Sequence, residues 1–245
     1  MNGVWSELQL AGKTVEVYDP PGNKPRFGML FLHPLGLETL RGRTAFTKIF
    51  DQLQLSCVCP HAQRSWWADR VCPEFDAKLT AEQHVLTNVL PLFQQRWGLF
   101  PRSIGLFGIS MGGQGALRLG FKHPQLFPAV AGIASALDYH ELYGEGTPLD
   151  EMYDSKEHCR QDTAILHIHP SNQPPHLLFC IDPDDLAWYR GNDRLHEKLS
   201  ALGVPHTLDL TTQAGGHSWQ YFDHMAERTL RFLYDGLEKE SRRLL

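Results

Sequence analysis

A serine becomes a nucleophile only when a base removes its proton and a carboxylate holds that base in the right tautomer. The chain carries candidates for all three. Gly108-Ile109-Ser110-Met111-Gly112, followed by Gly113, is a G-x-S-x-G pattern. Glycines two before and two after the serine leave room for a sharp strand-to-helix turn that lifts the hydroxyl clear of its surroundings. His217 lies in Gly215-Gly216-His217-Ser218-Trp219. Of thirteen histidines it alone falls after the last strand-like run and before the last helical one. The acid is one of Asp182, Asp184 and Asp185, and the chain order Ser, Asp, His is the one this turn calls for. A carboxylate immediately after a strand commonly stays in the turn as a cap, so Asp185, a few residues on, is preferred. The chemistry is acyl transfer through a covalent intermediate.

Such a reaction needs two backbone amides aimed at the developing oxyanion. Met111, directly after the serine, should give one. The other should come from His33-Pro34-Leu35-Gly36, where Pro34 has no amide to give, so Leu35 is chosen, with Gly36 second. Trp66, Trp67 and Trp219 could wall a small acyl pocket. His167 and His169 alternate like a metal pair but lack a carboxylate or cysteine companion at ligand spacing, and read as structural, so no metal site is expected.

The elements that must position these residues are legible as runs. Ser103-Ile104-Gly105-Leu106-Phe107 enters the serine turn as a strand, and residues 115–122 leave it as a helix that stops at His123-Pro124. Gly28-Met29-Leu30-Phe31-Leu32-His33 is a continuous apolar run, the mark of a strand buried on both faces. Cys57-Val58-Cys59-Pro60, Ala129-Val130-Ala131-Gly132-Ile133-Ala134, Leu177-Leu178-Phe179-Cys180-Ile181 and Thr207-Leu208-Asp209-Leu210 are further strands. Ala11-Gly12-Lys13 joins two alternating runs into an N-terminal hairpin. Thr80-Ala81-Glu82-Gln83 is a capping-box pattern opening a helix that Pro91 should kink and Trp97-Gly98 should close. Other helical faces include Ala45 to Leu53, Leu195 to Leu202 and Phe222 to Leu233. Alternating strands and helices after a hairpin predict a mostly parallel sheet with helices on both faces, in one domain over residues 1–245. Residues 135–175 are expected to be irregular and polar, a minimal lid at most.

At 42% apolar and 21% charged residues the composition is that of an ordinary globular protein. A net charge of -5 without a basic run argues against nucleic-acid binding, and no run reaches membrane-spanning length. Five scattered cysteines and an N-terminus without a signal-peptide layout predict reduced thiols and a cytoplasmic location. Nothing in the sequence reports the oligomeric state.

Leu32-His33-Pro34-Leu35-Gly36, residues 107–117 around Ser110, Asp182-Pro183-Asp184-Asp185-Leu186 and Gly215-Gly216-His217-Ser218-Trp219 together resemble the putative-esterase family of α/β-hydrolases. That family includes esterase D, S-formylglutathione hydrolase, feruloyl esterases and mycolyltransferase-like esterases. The resemblance covers most of the chain from about Gly28 onward. It implies an α/β-hydrolase fold and Ser-Asp-His catalysis without metal or organic cofactor. The relatives' G-x-x-D turn maps its aspartate onto Asp185. Two departures stand out: Pro34 replaces a usual glycine, and Leu37-Glu38-Thr39-Leu40 replaces the cysteine-containing stretch of formylglutathione hydrolases. The expected function is a serine carboxylesterase acting on small-molecule acyl esters or thioesters. An acyltransferase or peptidase would use the same triad, and the question separating it is whether an alcohol or amine acceptor outcompetes water. A non-catalytic binding protein of this fold would leave a serine-directed phosphonate unreacted.

Overall fold

The computed structural model describes residues 2–22 and 24–243. Strands β1 (Val4–Leu10), β2 (Lys13–Asp19), β3 (Phe27–Leu32), β4 (Leu55–Pro60), β5 (Ile104–Ile109), β6 (Ala129–Ile133), β7 (His176–Cys180) and β8 (Thr207–Asp209) form one sheet in the order β1-β2-β4-β3-β5-β6-β7-β8. The β1–β2 and β2–β4 pairs are antiparallel, and every pair from β4 to β8 is parallel. The hairpin turn Ala11-Gly12 has two positive φ angles, 51° and 75°, which match the twist of the strands it joins. Every residue of β3, β4 and β5 is buried, as continuous apolar runs require when helices cover both faces.

On one face lie α1 (Thr44–Leu53) and α8 (Trp219–Arg243), which bury Phe46, Phe50, Phe222, Met225 and Leu230 against β3, β5 and β6. The other face carries α2 (Ala81–His84), α3 (Leu90–Trp97), α4 (Met111–Lys122) and α7 (Tyr189–Ala201). The capping box at Thr80 and Gln83 forms as expected. The helix it opens is interrupted by a wide π turn, Val85–Val89. Pro91 has no amide for the carbonyl of Thr87 and its ring crowds that carbonyl, so the turn widens there.

Residues 135–175 depart from the expected irregular stretch. They form two 3-10 turns (Tyr139–Leu142 and Ala164–His167) and two short helices, α5 (Leu149–Met152) and α6 (Lys156–Gln161). Leu137, Tyr139, Leu149, Met152, Tyr153 and Cys159 are buried, so the segment is a packed layer over α4. Arg118 of α4 clamps it: Nε donates to Asp162 O at 3.0 Å and Oδ1 at 2.9 Å, and Nη1 pairs with Glu82. Lys122, His123, Tyr153 and His167 complete the cluster, His167 lying on Asp162 at 3.0 Å while His169 is exposed.

The chain runs from β3 outward to β4, then crosses back to β5 on the other side of β3. That reversal opens a crevice beyond the carboxyl ends of β3 and β5, where open α/β sheets bind ligands. All five cysteines are buried and free. No helix among the described residues is long and apolar enough to cross a membrane.

Candidate active site

Ser110 closes β5 with φ 57° and ψ -116°, a conformation that L residues rarely adopt. The surrounding hydrogen bonds over-determine it. Its N–H donates to Ile133 O at 2.9 Å, and its carbonyl accepts from the amides of Gln114 and Ala136, both at 3.0 Å. The flanking glycines are steric requirements. A Cβ at Gly108 would overlap the Gly112 carbonyl, and one at Gly112 would overlap the Leu32 carbonyl of the neighbouring strand. Only a chain bare at both positions can bend this tightly against β3.

The turn brings Ser110 Oγ 2.9 Å from His217 Nε2, and His217 Nδ1 lies 2.5 Å from Asp185 Oδ2. With Asp185 ionised, Nδ1–H donates to the carboxylate and Nε2 is left to accept from the serine. Asp185 is 2% exposed and its second oxygen accepts from the Trp188 amide at 3.3 Å. The His217 side chain is 32% exposed and lines the pocket beside Ser110.

The other two aspartates do different work. Asp182 is fully buried and accepts from the amides of Asp184 (2.9 Å), Ala214 (2.6 Å) and Gly216 (2.9 Å). It caps its own turn and ties that turn to the loop carrying His217. Burial alone would raise its pKa, but these amides win and hold the carboxyl below the usual range. Asp184 is exposed and reaches only Gln213.

Met111 is the first residue of α4, where an amide has no carbonyl four residues back in the helix. Beyond β3, Pro34 O accepts from Leu37 N at 3.0 Å, closing a turn, and from His33 Nδ1 at 2.8 Å. His33 Nε2 accepts from the Ala62 amide at 3.0 Å, which fixes the proton on Nδ1. The ring is buried and its pKa is pushed down to about 4 by that burial, so it stays neutral. In a trans peptide the carbonyl and the following N–H point opposite ways. Holding Pro34 O toward the buried ring therefore turns Leu35 N–H away from that ring, and Pro34, Leu35 and Gly36 line the pocket.

That pocket, about 380 Å³, is also lined by Glu38, Trp66, Ser110, Trp188, His217, Ser218, Trp219 and Phe222. Trp66 stacks on Tyr139 at 4.8 Å, and Trp219 carries the Arg43 guanidinium 3.6 Å from its ring centre. Trp67 does not belong here, contrary to expectation. It is fully buried, its Nε1 donates to His33 O at 3.2 Å, and its ring fills the space left by Gly115 in α4. Consecutive left-handed residues, φ 55° and 54°, part the two indoles: Trp66 reaches the pocket and Trp67 backs the loop after β3. Trp188, Phe222 and Glu38 were not singled out from sequence as pocket residues. Phe222 reads there only as part of a helical core face, and Trp188 has no pattern around it. No residue of 135–175 lines the pocket.

The sequence profile of the family described as "Putative esterase" matches residues 56–232. No curated protein matches the chain. Among solved structures it is similar to FphF, a fluorophosphonate-binding serine hydrolase of Staphylococcus aureus (TM-score 0.79, 16% identity, 96% of this chain and 99% of that one). It is also similar to an S-formylglutathione hydrolase from Agrobacterium tumefaciens (TM-score 0.78, 17% identity, 96% and 94%). The ferulic acid esterase AmCE1/Fae1A of Anaeromyces mucronatus is a third match (TM-score 0.68, 16% identity, 97% and 92%).

Proposed function

This chain belongs to the putative-esterase family of α/β-hydrolases, and from that premise we propose that it hydrolyses small acyl esters through an acyl-enzyme on Ser110. One observation carries the reading: His217 bridges Ser110 Oγ at 2.9 Å and a buried Asp185 at 2.5 Å, at a strained strand-to-helix turn. In the proposed reaction His217 Nε2 takes the serine proton as Oγ attacks the ester carbonyl. Asp185 keeps the imidazole in the working tautomer and offsets its charge. The amides of Leu35 and Met111 receive the oxyanion, helped by the positive N-terminal end of α4. His217 returns its proton to the leaving alcohol, and water attacks the acyl-enzyme by the same route in reverse.

The test is intact mass and peptide mapping after treatment with a fluorophosphonate. A single adduct on Ser110, absent from Ser110→Ala, is expected. An adduct on another residue, or none on protein that turns over p-nitrophenyl acetate, overturns the proposal. Rate measurements with an added alcohol acceptor then decide between hydrolysis and acyl transfer.

A further inference from the structure

The pocket beside Ser110 pairs aromatic surface with one isolated, solvent-exposed carboxylate. The half-buried indoles of Trp188 and Trp219 supply its open walls, backed by the buried Trp66 and Phe222. Apart from His217, its only ionisable side chain among the described residues is Glu38. The Glu38 carboxylate folds back on the loop after β3, so close that a methyl group at Gly36 would overlap it. Among the described residues it has neither an ion-pair partner nor a hydrogen-bond donor. The cations nearest in sequence are committed elsewhere. Arg41 faces Glu16 at 3.6 Å, and Arg43 lies over the Trp219 ring and 3.8 Å from Asp223.

An anionic group entering this pocket would be repelled by Glu38, an apolar one would give its carboxylate nothing, and a neutral donor would give it a hydrogen bond without offsetting its charge. A sugar would call for several donors and acceptors, and the walls offer few. A cation meets both features at once: π faces attract it and the carboxylate neutralises it. The Arg43 guanidinium already occupies one face of Trp219, so an incoming cation is left the indole of Trp188, on which no cation lies among the described residues.

Granted the esterase reading above, we infer that this site takes esters whose alcohol part carries a positively charged ammonium group. The alcohol part is the one concerned because the leaving oxygen must accept its proton from His217 Nε2. That requirement places the alcohol along the wall formed by Ser218, Trp219 and Phe222, which follow His217 in the chain. Glu38 lines the same pocket as these residues. The reaction is ordinary hydrolysis: the acyl–oxygen bond breaks, the cationic alcohol leaves with the proton from His217, and water releases the acid.

The experiment compares kcat/KM for acetylcholine with that for 3,3-dimethylbutyl acetate, which has the same acyl group and shape but carbon in place of the charged nitrogen. A roughly tenfold preference for the choline ester is expected, the indole face and the carboxylate each supplying part. The preference should fall severalfold in Glu38→Gln, to what the indole alone supplies, and invert in Glu38→Lys. Each ratio is taken within a single protein, so the folded fraction of a variant cancels. An equal or slower reaction of the choline ester in the wild type overturns the inference, as does a preference left unchanged by Glu38→Gln. If the wild type hydrolyses both acetates but not in this order, the esterase reading stands while this one falls. If it hydrolyses neither these nor p-nitrophenyl acetate, the esterase reading itself fails and takes this one with it.

Discussion

Three aspartates within four residues face three different tasks, and the structure separates them by what each one touches. Asp185 alone reaches His217, while Asp182 holds the loop amides and Asp184 stands in solvent. Asp185→Asn should therefore lower kcat by about 10⁴-fold, because the amide favours the wrong tautomer of His217. Ser110→Ala and His217→Ala should each cost about 10⁶-fold, with any remaining rate left to oxyanion stabilisation. Asp182→Asn should instead lose stability, about 1–3 kcal/mol for buried amides left poorly satisfied, with a smaller fall in kcat. Steady-state kinetics and thermal melts on the set check the order; a greater kcat loss in Asp182→Asn than in Asp185→Asn would reverse the assignment. The preference for Asp185 was legible because a turn cap and a base partner need different distances from the strand end. The fate of Trp67 was not: neighbouring tryptophans look alike until two left-handed backbone angles send them apart.

The central helix α4 is buried along nearly its whole length, between the sheet and the layer formed by residues 135–175. Continuous apolar runs announced the buried strands, and the glycine pattern announced the turn into α4. The short helices α5 and α6 could not be read, since four and six residues are too few to show a helical period. Tertiary contacts hold them, above all the Arg118 cluster. Burial alone would raise the pKa of Glu82, yet His123, Arg118 and Lys122 bring it down to about 2. Arg118→Met would leave Glu82 and Asp162 buried without their main counter-charge, at a cost of about 3–5 kcal/mol. Differential scanning calorimetry should show Tm lowered by about 10 °C, at about 2–4 °C per kcal/mol for a chain of this size. A change of only a degree or two would mean that Lys122 and His123 suffice.

For the molecule as a whole, the layer over α4 leaves the pocket uncovered, and that decides chain-length preference. Each methylene actually buried contributes about 0.8 kcal/mol, but a pocket of about 380 Å³ shared by acyl and alcohol parts shelters few. Rates on p-nitrophenyl esters should peak at acetate to butyrate and decline by octanoate; a maximum at decanoate would reveal a tunnel the fold does not show. Acid stability is a second whole-molecule property. His33 and His84 are each lowered to about 4, by burial first. The unfolded chain binds their protons at higher pH, so stability falls as pH drops from about 6.5 toward 4. Below about 4.5 the lowered Glu82 adds its own loss, which continues toward pH 2. Tm should therefore decline between pH 7 and 4.5, by an amount equivalent to several kcal/mol; a flat profile over that range contradicts the buried neutral histidines. The span of the Ser110–His217 hydrogen bond, a separation of 107 positions along the chain, has a kinetic consequence. Helices form in about a microsecond, whereas contacts this distant wait for the intervening loops to close. In refolding from denaturant, helical circular dichroism should thus return before turnover does, because Ser110 and His217 meet only once β7 and β8 have joined the sheet.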